Sequence, residues 1–162
     1  IRRLVEAFLE IDQRSGRRLS KRFEAYDEVI PSMKDWPVGM RASDFLRKVE
    51  GKLLTSGLNT RRIVNGYTVI DSIKAITTLD ATDFLKIYGT SSERALLFTG
   101  VKYGRSPMIA IKAHPLKPAM VVYVQPENID ELAVKLAELE NVLLARTELA
   151  PKELIERLER LG

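Results

Sequence analysis

Cysteine is absent from the 162 residues, which excludes disulfide frameworks, thiolate metal sites and cysteine nucleophiles, and suits a reducing compartment. Histidine occurs once, as His114, so a zinc site lacks its ligands and a Ser-His-Asp triad would depend on one imidazole held between Ala113 and Pro115 in an expected turn. The plainer reading of His114 is a loop residue facing solvent or a phosphate. There is no Gly-rich loop ending in Gly-Lys-Ser/Thr, no Gly-x-Gly-x-x-Gly and no Gly-x-Ser-x-Gly. Nucleases that set an acid two residues before a strand lysine are disfavoured too, because Ala110 stands in that place before Lys112. Asp71, Asp80 and Asp83 are read as helix caps and solvated positions rather than magnesium ligands. No catalytic residue, metal or cofactor is therefore expected.

No apolar run approaches the roughly 18 to 20 residues of a membrane span, and the segment from Ile1 to Leu9 contains Glu6 and lacks the features of a secretory signal. A cytoplasmic location with no membrane partner is the expectation. Asn and Gln are scarce, being confined to Gln13, Asn59, Asn65, Gln125, Asn128 and Asn141, whereas charged residues make up 30% of the chain, a balance typical of thermophiles.

What is present points to one α+β domain over residues 1–162, with a helical front (1–57) and a mixed sheet-and-helix part (58–162). A hydrophobic content of 45% in a chain of this length is enough for a core without staples. Leu4, Val5, Phe8 and Ile11 recur at helical spacing, as do Leu19, Phe23, Tyr26 and Ile30, and two N-terminal helices follow. Pro31 to Arg41 reads as a loop, and Ser43 to Thr55 as a helix with Phe45, Leu46, Val49 and Leu53 on one side. Asn65-Gly66, between Arg61–Val64 and Tyr67–Ile70, signals a hairpin. Asp71 to Thr78 is balanced between helix and strand, with a lean to helix, and Asp80 to Tyr88 is a short helix.

Arg94–Val101, Pro107–Lys112 and Ala119–Val124 are apolar runs of strand length with short connections, which predicts antiparallel pairing within a sheet of three to five mainly antiparallel strands. Asn128 and Glu131 resemble a capping box before an amphipathic helix, Val142–Arg146 adds a possible fourth strand, and Pro151 opens a last amphipathic helix. On that helix Leu154, Leu158 and Leu161 line one side. They either pack on the domain's own sheet or form a homo-oligomer contact.

The formal charge of +4 permits nucleic acid as a partner without demanding it, so distribution has to decide. Acidic residues gather after Pro126, while basic residues crowd Arg14, Arg17, Arg18, Lys21 and Arg22 and recur at Arg61, Arg62, Lys102, Arg105, Lys112, His114 and Lys117. Cations for phosphate and flat side chains for base stacking are what single strands require, and Tyr103 between Lys102 and Arg105 is the stacking candidate. Phe98 and Tyr123 are read first as core, and Trp36 as a lid over it. The resulting expectation is sequence-tolerant binding of single-stranded DNA or RNA along one positive track. The alternatives are a winged-helix-like duplex regulator, with Ser43–Thr55 as recognition helix and Arg61–Ile70 as wing, and a non-catalytic protein-interaction subunit.

Helices first, a basic antiparallel sheet around Ala95–Val124, then leucine-rich C-terminal helices: this order resembles the archaeal ThermoDBP-type single-stranded DNA-binding proteins and their relatives. The resemblance implies single-strand binding in a cleft with basic and aromatic walls, within an oligomer. The short C-terminal helix departs from the long zipper of that family.

Overall fold

A computed structural model describes residues 28–80 and 83–161. The two expected N-terminal helices therefore lie outside the described residues, apart from a last turn at Glu28 and Val29. The strands are β1 (Ser32–Arg41), β2 (Lys52–Leu53), β3 (Ile63–Asp71), β4 (Ala95–Thr99), β5 (Met120–Val124) and β6 (Leu143–Thr147). They form one mixed sheet in the order β1-β3-β4-β5-β6-β2. The helices are α1 (Ala42–Lys48), α2 (Ser72–Thr78), α3 (Arg105–Ala113), α4 (Glu131–Leu139) and α5 (Pro151–Glu159), with a 3-10 helix at Asp83–Tyr88. The α+β class holds.

The pairing differs from the expected mainly antiparallel sheet. The inner pairs β3·β4, β4·β5 and β5·β6 are parallel, and antiparallel pairing is confined to the outer pairs β1·β3 and β2·β6. One misread segment accounts for the parallel β4·β5 pair. Residues 107–112, expected as a strand, lie within α3, where Met108 and Ile111 are buried while Ile109 and Lys112 face solvent. That is helical spacing. A helix between β4 and β5 returns the chain to the starting edge, so the two strands run the same way. Parallel strands are covered on both faces, which is why Ala-Leu-Leu-Phe and Met-Val-Val-Tyr-Val read as continuous apolar runs.

The Asn65-Gly66 pair forms no hairpin; it lies inside β3. A Cβ at Gly66 would meet the Lys34 carbonyl oxygen at 2.3 Å, so the glycine lets β1 approach. Residues 32–41, expected as a loop because of Pro37 and Gly39, form the edge strand β1 with a register shift between Asp35 and Met40. Proline is tolerated there because an edge strand has N–H groups outside the ladder. The helix expected through Thr55 stops at Lys48, and the chain turns back at Glu50, which holds a positive φ, into β2.

Two apolar layers result. One face of the sheet packs against α1 and α5, with Trp36, Phe45 and Tyr67 in ring contact and Leu154 and Leu158 fully buried. The other face carries the 3-10 helix, α3 and α4, with Ile87, Met108, Ile111, Leu136, Phe98 and Tyr123 among the buried side chains. Trp36, Phe98 and Tyr123 are core residues, as expected. Leu154 and Leu158 pack within the domain, the first of the two readings of this helix, and are not available for the alternative homo-oligomer contact; Leu161 packs at the margin of the same layer. The helix before β6 is capped by Asp130, which accepts from the Leu132 N–H at 2.8 Å, rather than by Asn128.

Arg94, just ahead of β4, has no exposed surface. Its guanidinium donates to the carbonyls of Ser91 (2.8 Å) and Tyr67 (3.2 Å) and to Thr68 Oγ1 (3.1 Å), and pairs with Asp35. Burial pulls its pKa down to about 10. The group ties β1, β3 and β4 together at one end of the sheet.

Candidate functional site

The expected basic residues fall into three sets. Arg17, Arg18, Lys21 and Arg22 lie outside the described residues. Arg61, Arg62, Lys112, His114 and Lys117 gather towards the edge where the parallel strands begin. Lys102, Tyr103 and Arg105 follow the carboxyl end of β4, at the opposite edge. Five residues of strand at about 3.3 Å each put roughly 16 Å of sheet between the last two sets. The single positive track expected from the sequence is not formed among the described residues, because it relied on residues 107–112 being a strand beside the others.

Several of these cations serve the chain's own backbone. Arg62 donates from Nε to the Asn59 carbonyl (2.8 Å), and from its terminal nitrogens to the Asn141 carbonyl (2.6 Å) and the Asn141 side chain (2.9 Å). It pins the approach to β3 against the turn before β6. Lys117 donates to the carbonyls of Ile111 (2.8 Å) and Lys112 (2.9 Å) in the last turn of α3, where helix-end carbonyls run short of N–H donors, and pairs with Glu140 at 3.3 Å. The His114 ring lies 5.8 Å from that of Tyr88, and its Nδ1 accepts from the Leu116 N–H. Arg61 and Lys112 are exposed.

The expected winged helix does not form at its proposed place. Phe45 and Leu46 of α1 face the core, and the supposed wing is the interior strand β3, whose residues 66–70 are all buried between β1 and β4. Helix α1 keeps Arg47 and Lys48 exposed but is only seven residues long, and no free wing stands beside it.

The described residues do hold an opening at the carboxyl ends of β3 and β4, a common ligand position in open sheets with parallel strands. A cleft of about 550 Å³ lies between the start of α2 and the loop from β4 to α3, bordered by Ser72, Ile73, Lys102, Tyr103, Arg105 and Asp130. It shares Ser72, Ile76, Ser106 and Pro107 with an apolar groove of about 330 Å³ that runs on between α2 and α3 over Phe98 and Ala110. Both fall in the size range of small-molecule pockets.

The cleft's loop is firmly held. The Lys102 carbonyl accepts the N–H groups of Glu127 (3.0 Å) and Asn128 (3.1 Å), and the Tyr103 carbonyl accepts that of Asp130 (2.8 Å). Tyr123, fully buried, donates its hydroxyl to the Gly104 carbonyl, and burial raises its pKa. Gly104 is the N-cap of α3, in the left-handed region at φ 80°, and brings no side-chain acceptor to the first turn. Arg105 donates to Asp130 from Nε (3.1 Å) and a terminal nitrogen (2.6 Å). The Leu132 N–H and the Arg105 guanidinium together hold the Asp130 carboxyl below its ordinary range.

Sequence reading singled out Lys102, Tyr103 and Arg105 but missed Ser72, Ser106 and the groove. The signal was the run Gly100-x-x-x-Gly104-Arg-Ser between an apolar strand and a helix, the pattern of a loop that delivers a helix N-terminus. Reading residues 107–112 as a strand hid it.

Fold and cleft define a mixed-sheet α+β domain with a ligand-sized opening at its carboxyl edge. No family model matches the chain. Two archaeal proteins do: each is 38% identical over 99% of this chain, which spans 71% of one relative, from Archaeoglobus fulgidus, and 70% of the other, from Methanocaldococcus jannaschii. Both are described as uncharacterized HTH-type transcriptional regulators. The chain belongs to this family of archaeal HTH-type regulators. No helix among the described residues is long and apolar enough to cross a membrane.

Proposed function

We propose that the protein is a non-catalytic transcriptional regulator that binds duplex DNA, with Arg14, Arg17, Arg18, Lys21 and Arg22 supplying phosphate contacts. The observation that carries this reading is the 38% identity to two HTH-type regulators across 99% of the chain. Among the other candidate cations, Arg62 and Lys117 are engaged by backbone carbonyls and Arg105 by Asp130, while the exposed Arg61, Lys102 and Lys112 are divided between opposite ends of the sheet and form no continuous track. A single-strand track also needs aromatic platforms in series. Of the three aromatics near the expected sheet face, Phe98 and Tyr123 are buried, leaving Tyr103, which is 55% exposed.

A competition assay tests the reading. A labelled mixed-sequence duplex bound at about 50 mM salt should be displaced by unlabelled duplex at least tenfold more effectively than by single strand of the same length. Preferential displacement by single strand would restore the earlier expectation and refute the duplex reading.

A further inference from the structure

The carboxyl-edge cleft has no part in the DNA contacts proposed above, yet it is built to hold something. Ser72 is 6% exposed and borders both the cleft and the apolar groove. Its hydroxyl makes no hydrogen bond among the described residues, and it is not among the fully enclosed polar atoms that lack a partner, so it opens to the cleft. A hydroxyl with no protein partner at the floor of a cleft is free to bond whatever enters it. Across the cleft stands the first turn of α3, a nine-residue helix whose Gly104 cap leaves the N–H groups of Arg105 and Ser106 without a side-chain acceptor.

The charge and shape around these two features select the kind of ligand. Lys102 is exposed and makes no ion pair among the described residues, and the neighbouring carboxylate, Asp130, is already engaged by Arg105. The carbonyls of Lys102, Tyr103 and Gly104 are taken up by Glu127, Asn128, Asp130 and Tyr123, so these three do not present free lone pairs to an anion. Beyond this polar end the groove turns apolar. Ile73 and Ile76 on α2 are 60% and 69% exposed, an unusual position for isoleucine on a surface helix. A ligand with a negative head and an apolar body would satisfy both ends.

We propose that this cleft binds a small anion, a carboxylate or phosphate monoester, with a short aliphatic chain lying between α2 and α3. Ser72, Lys102 and the α3 N-terminus hold the head, and Ile76, Phe98 and Ala110 line the path of the chain. Its role as the regulator's effector rests on the DNA-binding reading, but the binding itself does not.

Titration of the full chain, without DNA, with hexanoate, hexyl phosphate, hexanol, acetate and inorganic phosphate separates the two outcomes. Amide NMR shifts should localise to Gly100, Gly104, Arg105 and Ser106. At least one of the two hexyl anions should bind about tenfold or more tightly than hexanol, and that anion's head without its chain should bind as weakly as hexanol does; the preferred hexyl anion shows whether carboxylate or phosphate is the natural head. Lys102→Ala and Ser72→Ala should each raise the Kd of that anion about fivefold or more. Both variants should keep the parent Tm, since one side chain is exposed and the other has no hydrogen bond to lose. No binding of either hexyl anion, equal binding of hexanol, or affinities unchanged in both variants would overturn the proposal. None of these results depends on whether DNA binds.

Discussion

Gly104→Ala combines two separate costs at the edge of the cleft. The residue has φ 80° and ψ 4°, so any side chain there meets the left-handed penalty of roughly 1 to 2 kcal/mol, partly offset by about 0.4 to 1 kcal/mol from a stiffer unfolded chain. A Cβ would also sit 2.2 Å from Tyr123 Cε2 and 2.9 Å from Cδ2. That ring cannot swing aside cheaply, because Tyr123 is fully buried and its hydroxyl is held by the Gly104 carbonyl itself. Overpacking of this kind typically costs about 1 to 3 kcal/mol. The net expectation is a loss of about 2 to 4 kcal/mol, which in a chain of this size lowers Tm by about 5 to 15 °C. Gly57→Ala supplies the control, since Gly57 has φ 75° with nothing within 4 Å of the added Cβ. It should lose only the backbone portion, about 1 kcal/mol or less. Urea unfolding of both variants gives the comparison. Equal destabilisation at the two positions would refute the close packing of the α3 cap on Tyr123.

Arg94→Met should destabilise by about 3 kcal/mol, the lower end for breaking a buried pair, because the stranded Asp35 carboxylate is 39% exposed and stays hydrated; a urea midpoint unchanged from the parent would contradict the tie between β1, β3 and β4. Leu154→Ala should cost about 2 to 5 kcal/mol while leaving the sedimentation behaviour of the folded protein unaltered, whereas a core leucine misassigned from an interface would change assembly instead. Asp130 has a depressed native pKa, so its contribution to the α4 cap is complete above the ordinary aspartate value near 3.9 and is lost as pH falls through the lower native one. Asp130→Asn should flatten the stability profile in that acidic window, and an unchanged acid limb would show that the cap is not formed as described.

The sequence disclosed the pieces of the fold better than their arrangement. Apolar runs at Ala95–Thr99 and Met120–Val124 were legible as strands because both faces are buried, and the last helix was legible from Pro151 and its leucine spacing. Direction was lost at α3. Its sequence Arg-Ser-Pro-Met-Ile-Ala-Ile-Lys-Ala is short and half apolar, so strand and helix periods both fit, and the choice flipped β5 relative to β4. Local turn chemistry misled at Asn65-Gly66, where glycine answers to the approach of Lys34, a contact thirty-odd residues distant in the chain. The same limit hid half of the cleft. Lys102, Tyr103 and Arg105 stood out by type, whereas Ser72 is ordinary in sequence and acquires meaning only from being buried opposite the α3 N-terminus.

Duplex affinity as a function of salt probes the regulatory reading at its root. Each phosphate contact contributes about 0.9 to the slope of log K against log salt. Replacing Arg17, Arg18, Lys21 and Arg22 together by alanine should therefore make the slope shallower by up to about 3.6. A slope unaltered by the four substitutions, with duplex binding retained, would contradict the assignment of DNA contact to this segment.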